Sequence, residues 1–332
     1  MKKSNIVVIG ASGNIGMYYL DYLLNNLDQE KYNIIATGTK KEYPYTFYNG
    51  KYVQLDICNT DEFNKLPQEN VKAVIDFAGV LPAYNEENTD LYIDVNVKGT
   101  AHVLEYCKKV SAERIIYTHT WADLNGYLSL DKPLKPDWAY KPIREGDHAI
   151  YCSTKICAVE LIKDYYAKYG LKYSIFRLPN IYMYSPEKYY LVNGKKTLIS
   201  YRYLIEKAEN GEDLELWGDP TRGKDIIYVK DLCQMIFKAM FVDSKIGIYN
   251  AGTGIKTTMK EQIEGIIKVF GNPQKKSKII YCPEKRNCDN FVMDIENIKS
   301  DLGFKPNYDY ISYLQDYKKE KQLNRFIKKK RD

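Results

Sequence analysis

Residues 5–10, NIVVIG, form a continuous apolar run that ends in glycine, and residues 14–27, NIGMYYLDYLLNNL, carry their apolar positions at helical spacing. The same pair of patterns recurs along the first half of the chain. NIIATG (33–38), KYVQLD (51–56) and AVIDFAG (73–79) read as strands, and TDLYIDVNVKGTAHVLEYCKK (89–109) as one long helix. ERIIYTHT (113–120) follows as a strand, DHAIYCSTKICAVELIKDYYAKYG (147–170) as a helix closed by Gly170, and KYSIFRLP (172–179) as a strand. Strands that are apolar throughout are buried on both faces, so their alternation with helices predicts an α/β fold: a parallel sheet with helices on both sides. After Pro179 the rhythm breaks. Residues 180–224 look irregular apart from a helix near 198–210, 225–240 read as a strand and then a helix, 247–254 as a strand and a turn, and the remainder as mixed helix and loop.

Composition narrows the classes. With 45% hydrophobic residues over 332 positions, the chain can bury one large core or two interleaved ones, and global disorder is not expected. A balance of 49 basic against 43 acidic residues is too even for a nucleic-acid-binding face. Seven scattered cysteines without a CxxC pair, and only three histidines, argue against a disulfide framework or a metal centre. No metal is expected, and a reducing, cytoplasmic setting fits. The sequence carries no signal-peptide pattern and no apolar stretch of bilayer length, so no membrane role is expected. The basic end FIKKKRD reads as a solvated helix terminus.

Candidate chemistry begins at GASGNIG (10–16), where the first strand meets the first helix. Gly10, Gly13 and Gly16 allow a tight turn and close backbone approach, with Ser12, Asn14 and Ile15 between them. The helix start beyond offers free N–H groups and a favourable dipole end to a pyrophosphate. A flexible turn is the bland reading; the position at the first strand-to-helix junction favours dinucleotide binding. In YCSTK, Tyr151 and Lys155 stand four apart on a predicted helix and therefore share a face. A phenol titrates near about 10 and is a poor base at neutral pH, but a neighbouring ammonium favours its phenolate. Lys155 can also donate to a nicotinamide ribose. Thr120, at the end of a neighbouring strand, completes the set, with a substrate oxygen between Thr120 and Tyr151. Among 32 tyrosines a chance Tyr-x-x-x-Lys is cheap. The order of glycine loop, Thr-ended strand and Tyr/Lys helix distinguishes this one.

On these residues the chain resembles the extended short-chain dehydrogenase/reductase family, in particular its nucleotide-sugar epimerases and dehydratases, from Ile6 to about Pro306. The resemblance implies a Rossmann-type parallel sheet plus a smaller mixed α/β C-terminal substrate domain. We divide the chain into residues 1–179 with 225–254 for the dinucleotide and 180–224 with 255–332 for the substrate. The resemblance further implies that Asp56 and Ile57 contact adenine, and that Ala78 and Gly79 in FAG and Asn96 in NVKGT line the cofactor. On the substrate side it assigns the diphosphate of a nucleotide-diphosphate sugar to Asn180 in RLPNIY, Lys224 in GKDIIYVKDL and Arg286 in RNCD. Lys224 stands where the family has Arg, which forfeits a bidentate fork; Arg222 lies two residues before it. By the same analogy, helices 89–109 and 147–169 pair two copies into a homodimer.

The family's 4,6-dehydratases carry Thr-Asp-Glu at the strand end. Here Thr120 is followed by Trp121 and Ala122, and Asp123 falls one place too late unless the backbone shifts, so dehydration is disfavoured. An NAD(P)-dependent epimerase or 4-ketoreductase remains, each working by hydride transfer at a sugar carbinol or ketone with Tyr151 as acid/base. A non-catalytic dinucleotide-binding sensor or scaffold is the alternative, and the complete set of Thr120, Tyr151 and Lys155 stands against it. An acid at the end of the second strand would bind the adenosine ribose and repel a 2′-phosphate. Gly38 takes that place, followed by Thr39, Lys40 and Lys41, so NADP(H) is favoured, with NAD(H) the alternative. His119 and Trp121 flank Thr120 as packing residues or pocket walls, and 126–136 is a candidate lid.

Overall fold

The computed structural model describes residues 2–82, 88–128, 130–146, 148–186, 189–192, 195–242 and 245–329. In chain order the strands are β1 (Ser4–Ile9), β2 (Tyr32–Gly38), β3 (Lys51–Gln54), β4 (Val71–Asp76), β5 (Arg114–Thr120), β6 (Lys172–Leu178), β7 (Asn180–Tyr182), β8 (Tyr189–Val192), β9 (Lys195–Leu198), β10 (Leu214–Trp217), β11 (Gly223–Tyr228), β12 (Gly247–Asn250), β13 (Lys256–Thr258) and β14 (Ile279–Cys282). Seven of them make one parallel sheet in the order β12-β6-β5-β4-β1-β2-β3. Strand order reverses at β1, which opens a crevice at the carboxyl ends of β1 and β4.

The continuous apolar runs are explained by cover on both faces. Ile6, Val8, Ala73, Ile75 and Ile116 pack with Leu20 and Leu23 of α1 (Asn14–Asn26) and with Leu232 and Ile236 further along the chain. Val7, Ile9, Val74, Ile115 and Tyr117 face the other way, against Val103, Leu104, Val159 and Ile162. Neighbouring residues of a strand thus enter two separate cores, as the period of two requires.

The helix expected over 89–109 is not uniform. It starts as α2 (Thr89–Tyr92), widens into a π-helical turn over Ile93–Gly99, and continues as α3 (Thr100–Lys109). A side chain at Gly99 would collide with Ile57 at 2.6 Å, so the wide turn rests directly on the loop after β3. Such π turns recur at functional sites, and this one carries Asn96. The helix expected at 147–170 is α4 (His148–Tyr169), with residue 147 outside the described residues.

Beyond Pro179 the chain is more regular than its sequence suggested. α5 (Ser200–Glu209) lies within the 198–210 expectation. β11 joins β7 and β13 in a three-stranded sheet of its own rather than the large sheet, whereas α6 (Val229–Met240) packs on α1 and β12 completes the large sheet. β8 and β9 form an antiparallel hairpin, and β10 pairs with β14. α7 (Met259–Phe270) starts at a capping box of Thr258 and Glu261, α8 (Glu296–Leu302) ends at the left-handed Gly303, and α9 (Tyr310–Leu323) packs on α7. The basic end is not simply a solvated helix terminus. Phe326 is buried, its ring 4.7 Å from Tyr18, and Tyr45 bridges to Lys328. Among the described residues, no helix is long and apolar enough to cross a membrane.

Candidate active site

The glycine loop runs from β1 into α1 and is shaped by backbone approaches that only glycine permits. Gly10 has φ +73°, and a Cβ there would meet the Ala78 nitrogen at 3.0 Å. This presses the loop against the turn after β4. A Cβ at Gly16 would enter the Gly10 carbonyl oxygen and lie 2.7 Å from the Ala11 Cα. Gly13 begins α1 without any side-chain cap, which leaves the first-turn N–H groups to an anion. Ser12, Asn14 and Ile15 are half-buried between these glycines. The residues present therefore form a cradle that a dinucleotide pyrophosphate fits. Gly16→Ala forces backbone to move and is expected to introduce strain of about 1–3 kcal/mol; calorimetry would read it as weaker dinucleotide binding.

At the end of β2, a Cβ on Gly38 would meet the Ser12 hydroxyl at 2.8 Å and the Tyr52 hydroxyl at 3.0 Å. The following turn is fixed by its backbone. Gln54 donates to the Thr39 carbonyl at 3.1 Å and Tyr52 to the Lys40 carbonyl at 3.0 Å, while the side chains of Thr39, Lys40 and Lys41 are exposed. Asp56 is exposed and its Oδ1 accepts the Cys58 N–H at 2.9 Å; Ile57 is buried beneath the π turn. Asn96, buried in that turn, accepts the Val80 N–H at 2.8 Å and donates to the Val80 carbonyl and the Thr154 hydroxyl, each at 3.2 Å. One side chain thereby ties the turn after β4 to α4. A Cβ at Gly79 would lie 3.3 Å from Asn96 Oδ1 and 3.9 Å from Lys155 Nζ, so Ala78, Gly79, Asn96 and Lys155 converge.

Thr120 ends β5, and its Oγ1 accepts the Ala122 N–H at 3.2 Å, capping a 3-10 turn over Trp121–Tyr127. Tyr151 is half-buried in the first turn of α4, and Lys155 is buried one turn later. The expected tuning of Tyr151 by Lys155 needs correction. Burial pushes the Tyr151 hydroxyl well above its ordinary value, and Cys152 and Tyr92 add to the rise. The Lys155 ammonium instead rests 3.9 Å from the centre of the Tyr117 ring. Burial pulls Lys155 down, with Asp76 opposing. In the protein alone Tyr151 is therefore a phenol at neutral pH, and it needs added positive charge before it can act as a base.

Arg177, and the partners of Asp123, His119 and Trp121, escaped sequence reasoning. Asp123 is buried in a bidentate pair with Arg177, whose Nε lies 2.9 and 3.0 Å from its two oxygens, and His119 Nε2 is 3.0 Å from Oδ2. Arg177 also donates to Asn250 at 2.9 Å, and Asn250 reaches the carbonyls of Leu134 and Asp294. This network holds the turn that carries Thr120, and it occupies the carboxylate nearest the dehydratase positions. Trp121 stacks on Phe291 at 4.8 Å. The segment proposed as a lid is pinned: Gly126 donates to Lys141, Leu134 to Val292, and Leu134 is buried; Ser129 lies outside the described residues. The available signals were an Arg inside an apolar strand and an Asp inside an apolar turn.

On the substrate side, Arg286 lines a cavity of about 420 Å³ together with Trp217, Tyr203, Lys207 and Met259. Lys224 is half-buried and faces Asp289 and Cys288; burial pulls its ammonium down, and these neighbours oppose the shift. Arg222 donates to the Cys288 carbonyl at 3.0 Å. Asn180 is half-buried at the start of β7 and pairs with Ile226, two residues from Lys224. Segments distant in sequence thus meet around the loop of Arg286.

Residues 6–252 match the model of the NAD dependent epimerase/dehydratase family. A relative from Methanocaldococcus jannaschii described as a putative UDP-glucose 4-epimerase is 28% identical over 315 residues, covering 92% of this chain and 94% of the relative. Among solved structures, the Thermotoga maritima UDP-glucose 4-epimerase with UDP-glucose superposes with a TM-score of 0.78 at 21% identity, covering 96% of this chain and 99% of that one. A dTDP-glucose 4,6-dehydratase from Bacillus anthracis in complex with NAD gives 0.73 at 22% identity, with 97% of each chain covered. At these identities the structural likeness establishes the fold: a seven-stranded Rossmann-type sheet flanked by helices, with additional smaller sheets.

Proposed function

The chain belongs to the NAD dependent epimerase/dehydratase family, and on that premise we propose that it is a nucleotide-sugar epimerase that inverts a carbinol carbon by transient oxidation. The observation that carries this reading is the end of β5. Thr120, Tyr151 and Lys155 are all present, positions 121 and 122 hold no carboxylate, and Asp123 is committed to Arg177 and His119. Elimination of water has no acid/base pair there. When bound, the dinucleotide supplies a hydride acceptor at its nicotinamide ring. Gly10, Gly13 and Gly16 would hold its pyrophosphate, and Lys155 its ribose. Tyr151 takes the proton from the sugar hydroxyl and returns it, and Thr120 binds the same oxygen. Arg286 and Lys224 hold the sugar's diphosphate, with Asn180 beside them, and Trp217 offers an aromatic face to the nucleobase.

A second reading, a 4-ketoreductase using NADPH, is favoured by one observation: the end of β2 presents no carboxylate but Ser12, Thr39, Lys40 and Lys41. We propose that the adenosine site prefers NADP(H) over NAD(H) for that reason. Calorimetry on parent and Lys40→Ala/Lys41→Ala tests it. The preference for NADP(H) is expected to disappear in the double variant. Tight NAD binding that is indifferent to both lysines would overturn the preference and leave a recycling epimerase.

A further inference from the structure

Asp76 closes β4 and is buried. Its Oδ1 accepts the Ala78 N–H at 2.9 Å and so shapes the turn that meets the glycine loop. Its Oδ2 is buried without a hydrogen-bond partner. A buried carboxylate with an empty oxygen is costly unless a cation compensates it. The parallel β4–β5 pairing sets Asp76 level with Tyr117, and the Lys155 ammonium rests on the face of the Tyr117 ring. Among the described residues no carboxylate makes a direct ion pair with Lys155. Asp76 is the anion that acts on it.

The other titratable groups acting in this pocket are Tyr117 and His119 on β5, Tyr151, Cys152 and Cys157 on α4, Tyr92 on α2 and, towards Asp76, Cys107 on α3. Burial raises the Tyr117 and Tyr151 hydroxyls and the Cys107 and Cys152 thiols and lowers the His119 imidazole, which disfavours the charged form of each. The neighbouring Asp123 and Arg177 compensate each other.

We propose that Asp76 is a positioning residue for the reaction: its carboxylate keeps Lys155 charged and seated over Tyr117, one helical turn from Tyr151, where it can meet the nicotinamide ribose. The proposal rests on the reading of Tyr151 and Lys155 as reaction machinery. The mutual effect agrees with it. Burial pushes Asp76 up and Lys155 opposes, while burial pulls Lys155 down and Asp76 opposes.

Asp76→Asn keeps the acceptor for Ala78 and removes the charge. Two titrations on the full chain test it: the Lys155 amine by nitrogen NMR, and kcat against pH. The Lys155 step and the alkaline limb of kcat are both expected to move down by about one pH unit or more, the size of an opposite-charge effect at short range. Superimposable Lys155 steps in parent and variant would overturn the proposal. A uniform loss of kcat with the limb unmoved would count equally against it, because a merely structural role predicts that result. If the variant does not fold, the parent decides: the Asp76 carboxyl carbon must register the Lys155 step, and silence there contradicts the pairing. The nitrogen titration needs no substrate, so a parent inactive on every nucleotide sugar would sink the proposed function and leave the role of Asp76 still decided.

Discussion

Tyr151→Phe is expected to lower kcat by about 10²–10⁴-fold, the usual contribution of a positioned acid/base, while dinucleotide affinity stays within error of the parent. The substitution removes one oxygen and leaves the half-buried ring in place, so the first turn of α4 and its contacts persist. Steady-state kinetics and calorimetry on the two proteins check both halves of the expectation. A variant as active as the parent would remove Tyr151 from the chemistry. The pH dependence has a definite sign. Burial raises the Tyr151 hydroxyl, so at neutral pH the oxidative direction is short of phenolate. Its rate therefore climbs as pH rises, until Lys155, which burial lowers, sheds its proton and the alkaline limb begins.

Asp123→Ala is expected to destabilise the fold by about 3–5 kcal/mol, the cost of leaving a buried charge without its partner. Arg177 is wholly buried, and the variant leaves it only Asn250 and the Pro136 carbonyl. Because Asn250 also binds Leu134 and Asp294, the damage spreads from β6 and β12 to the segment over the site. Urea melts of parent and variant measure it; equal midpoints would mean that the network contributes no net stability.

The network also sets a pH window. Burial pushes the Asp123 carboxyl up, but His119 and Arg177 outweigh that and hold it below its ordinary value. Burial pulls the His119 imidazole down, with Asp123 opposing. Both folded values are depressed, so their stabilisation is complete above the unfolded values, about 6.5 for His and 3.9 for Asp. It is lost as pH falls through the folded ones. Asp231, raised to about 6 by burial, acts in the opposite sense. The difference between parent and Asp123→Ala isolates the network. That difference should widen as pH falls through the His119 range, because the variant lacks the Asp123 that opposes the lowering of His119, and should shrink only below about 3.9, where Asp123 itself takes a proton; a difference independent of pH would contradict the assignment.

What the sequence made legible follows from how locally each feature is encoded. β1, β2, β4, β5 and β6 carry central apolar runs because both faces of the sheet are covered, and that pattern survives in a single line of text. The glycine loop, Thr120, Tyr151 and Lys155 were legible because short spacings and their order along the chain carry them. The π turn over 93–99 was not, since its register is set by Ile57 packing on Gly99 from another loop. β7, β10 and β13 span three or four residues, too few for a period to show. Asp123 and Arg177 are 54 positions apart, and Asp76, on β4, acts on Lys155, on α4, 79 positions later. Such pairings exist in the fold alone.

The most direct test of the account is to incubate the full chain with a UDP- or dTDP-hexose and added NAD or NADP, and to follow the sugar by proton NMR. The account predicts that an epimer of the sugar accumulates to equilibrium with the parent and is absent with Tyr151→Phe. An untouched sugar, a dehydrated product from the parent, or the same conversion by both proteins would contradict it.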